Sequence, residues 1–264
     1  MSLYSSDAFK GEHILITGAT GGIGSATAKT LVELGASVTL TGRDQGKLKE
    51  LKEALERDYP QNDIHICACD LGDRKERKRL IDFALNKSGT ITKLVNNAGI
   101  YEYGKVEDLT EESLNKIMSI NYTSTVLLTQ QVYEHMKTLK KGAIVNIASL
   151  SGLRGNIGNT AYVASKFALV GFTHCIALEA IQYGIRVNAV CPGFVDTNMG
   201  ITVIDTKGEN STFEEKRKMV ESGIPSGRIT TPQEVANSIV FLLSDAAENI
   251  IGESLKISGG AVLR

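Results

Sequence analysis

The sequence lacks an excess of charge of either sign: 29 basic residues against 30 acidic ones leave a formal net charge of −1. A chain so balanced has no basic field to hold a nucleic-acid backbone or an anionic membrane surface, so neither partner is expected. Metal-binding patterns of cysteine and histidine are missing as well. Cys67 and Cys69 stand two apart in an apolar stretch, which puts them on one face of a strand and is not C-x-x-C spacing. Cys175 and Cys191 stand alone, and His13, His65, His135 and His174 are scattered, with no H-E-x-x-H. No metal is therefore expected; the cysteines read as reduced core residues, and a reducing, cytoplasmic home follows. No apolar run approaches the roughly 18 residues of a membrane span. Residues 1–10 lack the basic-then-apolar order of a signal peptide.

What is present is an ordinary globular composition, 42% hydrophobic and 22% charged over 264 residues, enough for one large α/β domain. Short apolar runs at 13–17, 36–41, 64–69, 93–96, 143–148, 185–190 and 254–257 read as seven strands. Between them, helical patterns cover 22–34, 44–57, 74–86, 111–137, 161–182 and 232–243. Strands rich in Val, Ile and Leu that alternate with helices predict a parallel sheet covered on both faces, in a single domain spanning 1–264. Residues 193–227 stand apart, with weak periodicity and one short helical piece at 213–220. A long segment of that kind in a compact domain reads as a lid or binding loop.

The first strand runs into Thr17-Gly18-Ala19-Thr20-Gly21-Gly22-Ile23-Gly24 and then into a helix. Glycines let the backbone approach a pyrophosphate closely, and the helix N-terminus beyond them offers free N–H groups and a favourable dipole. The spacing of Gly18, Gly22 and Gly24 is G-x-x-x-G-x-G rather than G-x-G-x-x-G. Cofactor choice turns on the end of the second strand, where NAD binders carry an acid for the ribose 2′-hydroxyl. Here Gly42 takes that place and Arg43 follows it. A guanidinium suits a 2′-phosphate, so NADP(H) is expected over NAD. Arg43 also reads as a solvated charge beside Asp44, a helix cap compatible with the phosphate role.

From the glycine loop to the last strand the chain resembles the short-chain dehydrogenase/reductase family. The residues that carry the resemblance come in order. They are Gly18, Gly22, Ile23 and Gly24, then Asp70, then Asn96-Asn97-Ala98-Gly99, Asn121, Ser149, Tyr162-Val163-Ala164-Ser165-Lys166, and Pro192-Gly193. The resemblance implies a doubly wound seven-stranded sheet in the order 3-2-1-4-5-6-7, assembled as a homotetramer (or homodimer). It places Gly18, Thr20, Gly22, Ile23 and Gly24 at the cofactor phosphates, and Asp70 and Leu71 at the adenine. Asn97, Ala98 and Gly99 go beside the adenosine ribose, and Pro192, Gly193, Val195 and Thr197 at the nicotinamide and pyrophosphate side.

Hydride transfer to a carbonyl leaves charge on oxygen that needs a proton and hydrogen-bond donors. Tyr162 and Lys166 lie four apart and share a helix face, where an ammonium is expected to lower the phenol's pKa. By the resemblance, Tyr162 is the acid/base and Lys166 tunes it and holds the nicotinamide ribose. Ser149 would polarise the substrate oxygen, and Asn121 would position a water that links Lys166 to solvent. Ser151 is a rival to Ser149, disfavoured by the family's spacing of Ser149 from Tyr162.

The substrate is read as a small carbonyl or alcohol, chosen by 193–227 and by residues near Tyr101, Tyr103, Leu153 and Arg154. A 3-oxoacyl-(acyl carrier protein) reductase is one specific alternative. Its acidic partner would need a basic patch, yet Lys207, Lys216, Arg217 and Lys218 are interleaved with Glu209, Glu214 and Glu215. Gly21 also stands where many such reductases carry a basic residue. A non-catalytic nucleotide sensor is the alternative from another class.

Overall fold

Strand β1 (His13–Thr17) is buried at every position, as are β4 (Lys93–Asn96) and β5 (Gly142–Ile147). Continuous burial, without polar alternation, is what an inner parallel strand covered on both faces requires. The computed structural model describes residues 4–206 and 211–263. β2 (Ser37–Gly42), β3 (Ile64–Ala68), β6 (Ile185–Pro192) and β7 (Ser254–Ile257) complete a parallel sheet in the order β3-β2-β1-β4-β5-β6-β7. The order expected from the resemblance is the one found.

The helices are α1 (Gly22–Glu33), α2 (Gln45–Asp58), α3 (Arg74–Ser88), α4 (Glu111–Met118), α5 (Ser124–Leu139), α6 (Thr160–Ala180), α7 (Asn198–Asp205), α8 (Phe213–Ser222) and α9 (Pro232–Leu243). The sheet divides two cores, and the strand period of two decides which side chain joins which. Ile14 and Ile16 of β1 pack with Leu31 of α1, Leu48 of α2 and Ile239 of α9. Leu15, between them, joins Leu80 of α3, Leu128 of α5 and Ile176 of α6 on the other side. Strand order reverses between β1 and β4, so their C-terminal ends splay apart and open a crevice.

Several expectations need correction. The helix expected over 111–137 is interrupted by a π-helical turn, Ser119–Thr123. Helix α7 lies inside the segment expected to hold a single helical piece; Thr197 caps it, and Ile204 anchors it against Ile224 and Ile229. β6 runs two residues further than expected, to Pro192, because β7 pairs with it as far as Ile257. Cys67, Cys69 and Cys191 are buried and unbridged, but Cys175 is exposed and is not a core residue, because it lies on the outward side of α6. One stretch, Thr160–Tyr183, is after all long and apolar enough to cross a membrane by length and composition, with mean hydropathy 1.4. The apolarity has two sources: α6 buries Leu169 and Ile176 against the sheet, and it leaves Phe167 and Leu178 exposed.

Candidate active site

The loop after β1 is shaped by two glycines. Gly18 sits at φ +60°, and a Cβ there would come 2.9 Å from the Ala98 Cα. A Cβ on Gly24 would come 2.3 Å from the Gly18 carbonyl oxygen. Any side chain therefore pushes the loop off the helix. Gly24→Ala is expected to destabilise the fold by roughly 1–3 kcal/mol, read as a lower melting midpoint; an unchanged midpoint would show that the loop relaxes freely. The loop is tied down from β4: Asn97 Nδ2 donates to the Gly18 carbonyl at 2.9 Å. The Thr17 hydroxyl accepts from the Asn97 and Ala98 N–H groups at 2.9 and 3.0 Å.

Helix α1 begins without a side-chain cap, since Gly21 at its N-cap has none to offer. By contrast α2, α3, α4, α7, α8 and α9 are capped by Asp44, Asp73, Thr110, Thr197, Thr212 and Thr231. An uncapped first turn leaves N–H groups to an external acceptor, and an anion is the acceptor its dipole favours. Gly21, Gly22 and Ile23 of this turn line the crevice.

That crevice is one continuous cleft of about 670 Å³. At one end lie Arg43, just past β2, and Asp70 and Leu71, just past β3. Gly18, Thr20, Gly22, Ile23, Asn97, Ala98 and Gly99 form its middle, with Pro192, Gly193, Val195 and Thr197 opposite. Ser149, Tyr162 and Lys166 stand deep in the same space. Two predicted residues do not line it: Gly24 packs under the loop, and Asn121 is 0% exposed.

Asn121 sits in the π turn. Its Oδ1 accepts from the Ile100 N–H at 2.8 Å, and its Nδ2 donates to the Ile100 carbonyl at 2.9 Å and to the Ser165 hydroxyl at 3.1 Å. The turn thereby holds the loop after β4 against α6. The Ser165 hydroxyl in turn donates to the Tyr162 carbonyl at 2.7 Å.

Ser149 follows β5, and its hydroxyl accepts from the Ser151 N–H at 3.1 Å. The Ser149 hydroxyl also acts on the Tyr162 phenol, favouring its ionised form. Lys166 is buried; its Nζ donates to the Ile147 carbonyl at 2.8 Å and lies 5.7 Å from the centre of the Tyr162 ring. Burial pushes the Tyr162 phenol up to about 12, with the nearby Ser149 hydroxyl pulling partly back. Burial also brings the Lys166 ammonium down to about 8. The expected lowering of the phenol by its lysine is not what the fold produces. Desolvation is the largest influence on each group, favouring the neutral phenol and the neutral amine.

Beyond Tyr162 the cleft turns apolar, walled by Leu150, Phe194, Met199, Val203, Val220 and Ile224. Tyr101 stands edge-on to Tyr162, ring centres 5.3 Å apart, and its hydroxyl donates to Asn159 Oδ1 at 2.7 Å. Tyr103 and Leu153 stay outside the cleft, and Tyr103 packs over Gly158 instead. Ser258 and Ala261, past β7, also line it. They escape sequence reasoning because no local pattern brings the chain's last residues beside β6. The basic residues of α8 do not make a free patch. Lys216 pairs with Asp205 at 3.0 Å, and Arg217 with Asp196 and Glu221 at 3.1 Å each. Lys207 and Glu209 lie outside the described residues.

Comparisons with known proteins agree with this geometry. The chain matches the family model described as short chain dehydrogenase over residues 12–208. It is 34% identical over 253 residues to the 3-oxoacyl-(acyl-carrier-protein) reductase FabG of Rickettsia felis, covering 96% of this chain and 98% of that one. Among solved structures, a variant of actinorhodin polyketide ketoreductase with NADPH superposes with a TM-score of 0.91 at 32% identity, covering 98% of this chain and 99% of that one. NAD+-bound xylitol dehydrogenase superposes with a TM-score of 0.91 at 28% identity, covering 96% and 99%.

Proposed function

The chain belongs to the short-chain dehydrogenase/reductase family, an oxidoreductase family, and from that premise we propose that it is an NADP(H)-dependent reductase of a small carbonyl compound, running in reverse on the alcohol. The observation that carries the reading is the meeting of Ser149, Tyr162 and Lys166 in the cleft that the uncapped first turn of α1 opens onto. The cleft fits a dinucleotide. Its uncapped N–H groups suit a pyrophosphate, and Gly42 leaves the 2′ position free of an acid. Arg43 stands there with no carboxylate paired to it among the described residues. In this reading Asp70 and Leu71 take the adenine. Asn97, Ala98 and Gly99 flank the adenosine ribose, and Pro192, Gly193, Val195 and Thr197 hold the nicotinamide side. The segment 193–227 acts as the lid.

When bound, the cofactor supplies a hydride. The Ser149 hydroxyl donates to the substrate oxygen, and the Tyr162 phenol gives that oxygen its proton. A phenol near 12 is fully protonated at neutral pH, which is the form reduction needs. The Lys166 ammonium stabilises the phenolate left behind and binds the nicotinamide ribose, and Asn121 keeps the solvent relay to Lys166 in place. The sign of the pH dependence follows. The phenol keeps its proton to about 12, whereas Lys166 loses its charge as pH rises through about 8. The kcat/KM of reduction should be level below pH ~7 and fall above 8 by about tenfold per unit. A profile flat to pH ~10 would remove Lys166 from the proton step.

Leu127 of α5 and Phe167 and Leu178 of α6 stand exposed, which supports a homotetramer or homodimer closed over these helices. A cytoplasmic home belongs to the same proposal. The likeness to the Rickettsia felis reductase favours a 3-oxoacyl thioester as a second, narrower reading. Both are tested by following NADPH oxidation, with NADH as control, on acetoacetyl-coenzyme A and on simple ketones. Fast turnover on the thioester alone selects the narrower reading. Binding of NADPH without turnover on any carbonyl would leave a nucleotide sensor.

A further inference from the structure

The cleft is unequal in charge along its length. Among the described residues that line it, Asp70 is the sole carboxylate, and it sits at the adenine end. The basic side chains are Arg43 at that end, Lys166 in the middle and Arg154 in the far, substrate half. Among the described residues, the substrate half therefore holds a cation and no acid.

Arg154 is also unspent. Its one hydrogen bond runs from Nη1 to the Ala261 carbonyl at 3.4 Å, near the limit for such a bond, and no described carboxylate pairs with it. Other arginines around the lid are occupied: Arg217 by Asp196 and Glu221, and Arg228 by Glu234 at its Nη1, 2.9 Å. Half-buried Arg186 is held by the Leu242 and Ser244 carbonyls at 2.6 and 3.0 Å. A free guanidinium at the edge of an apolar wall is a reader of planar anions, since carboxylate and phosphate both match its fork of donors.

We infer that the substrate of this cleft is a ketone, or the matching alcohol, with an apolar body and an anionic tail, and that Arg154 is the specificity residue that takes the tail. The inference rests on the reductase reading for the carbonyl end. There the ketone carbon gains the hydride and its oxygen gains the Tyr162 proton while NADPH becomes NADP+. The tail anion is a carboxylate or a phosphate. Asn156 lines the cleft beside Arg154, and its Nδ2 is 3.3 Å from the Ser151 hydroxyl, which leaves the guanidinium as the charged contact.

The test compares levulinate, 5-oxohexanoate and 7-oxooctanoate, each beside its methyl ester, in wild type and in Arg154→Ala and Arg154→Lys. Wild type should prefer the best acid over its ester by about tenfold or more in kcat/KM, carried by KM. Arg154→Ala should bring that preference close to one, and Arg154→Lys should restore part of it. Acetoacetyl-coenzyme A beside acetoacetyl-N-acetylcysteamine, which has no phosphate, separates the sources. A preference for the former that Arg154→Ala removes assigns the anion to a phosphate, and the acid–ester preference assigns it to a carboxylate.

Calorimetry of octanoate against octanamide on the NADPH-loaded protein supplies a readout that needs no turnover. Octanoate should bind wild type about tenfold tighter than the amide, and Arg154→Ala should not distinguish them. Equal binding of the two by wild type, together with acid–ester and thioester preferences that Arg154→Ala leaves where they were, overturns the inference while reduction of the esters keeps the reductase reading intact. Discrimination in binding with no carbonyl turned over supports the inference and counts against that reading instead.

Discussion

Tyr162→Phe should slow turnover by about 10³- to 10⁴-fold while leaving NADPH affinity within about threefold. The substitution removes one oxygen and little else. The ring keeps its edge-on contact with Tyr101 at 5.3 Å and its place under the Lys166 ammonium at 5.7 Å. What is lost is the phenol oxygen that stands with Ser149 and Lys166 in the same cleft. Steady-state rates report the chemistry, and the fluorescence of bound NADPH reports the affinity. Turnover within tenfold of wild type would mean that the proton comes from another group, with Ser149 or a water as the remaining candidates. A large loss of NADPH affinity would make Tyr162 a scaffold of the cofactor site rather than its acid.

Arg43→Ala should weaken NADPH by about a hundredfold and NADH by no more than about twofold. The expected size is that of charge-assisted hydrogen bonds from a guanidinium to a phosphate, which contribute about 1.5–3 kcal/mol. The reason for the asymmetry is local. Arg43 lines the adenine end of the cleft, and Gly42 places no acid beside it to accept a ribose hydroxyl. Asp44 is engaged elsewhere, its side chain accepting from the Lys47 N–H at 3.1 Å to cap α2. Equal weakening of the two cofactors would mean that Arg43 does not read the 2′-phosphate. The choice lies in such residues and not in the fold, since solved relatives of nearly equal likeness are found with NADPH and with NAD+.

Much of this was legible in the sequence because the signals are local. Strands rich in branched apolar residues announce a parallel sheet by being buried on both faces. The glycines after β1 announce a tight backbone approach, and the positive φ of Gly18 and the crowding at Gly24 supply its physical reason. Less legible was everything that depends on a distant partner. The π turn at Ser119–Thr123 contains no proline or glycine to betray it. It coincides with Asn121, whose amide spends both of its donors and one acceptor site on the Ile100 backbone and Ser165. Helix α7 was hidden in a weakly periodic segment and exists because Thr197 caps it and Ile204 finds apolar neighbours in Ile224 and Ile229.

The sequence by itself determined the strands and the glycine loop after the first of them, because local propensity and the period of burial act over a few residues and need no other part of the chain. Ser149, Tyr162 and Lys166 were legible as a set only through the resemblance to the family. Only the tertiary structure decided the electrostatics of that set and the shape of the space around it. An i,i+4 tyrosine–lysine pair read in isolation predicts a lowered phenol; enclosed by β5, β6 and α6, the phenol rises to about 12 and the ammonium falls to about 8. The same holds for the Arg154 guanidinium, which no described carboxylate pairs with, and for the contribution of Ser258 and Ala261 to the cleft. Desolvation and pairing are set by what surrounds a group in space, and the order of residues along the chain does not contain that until it folds.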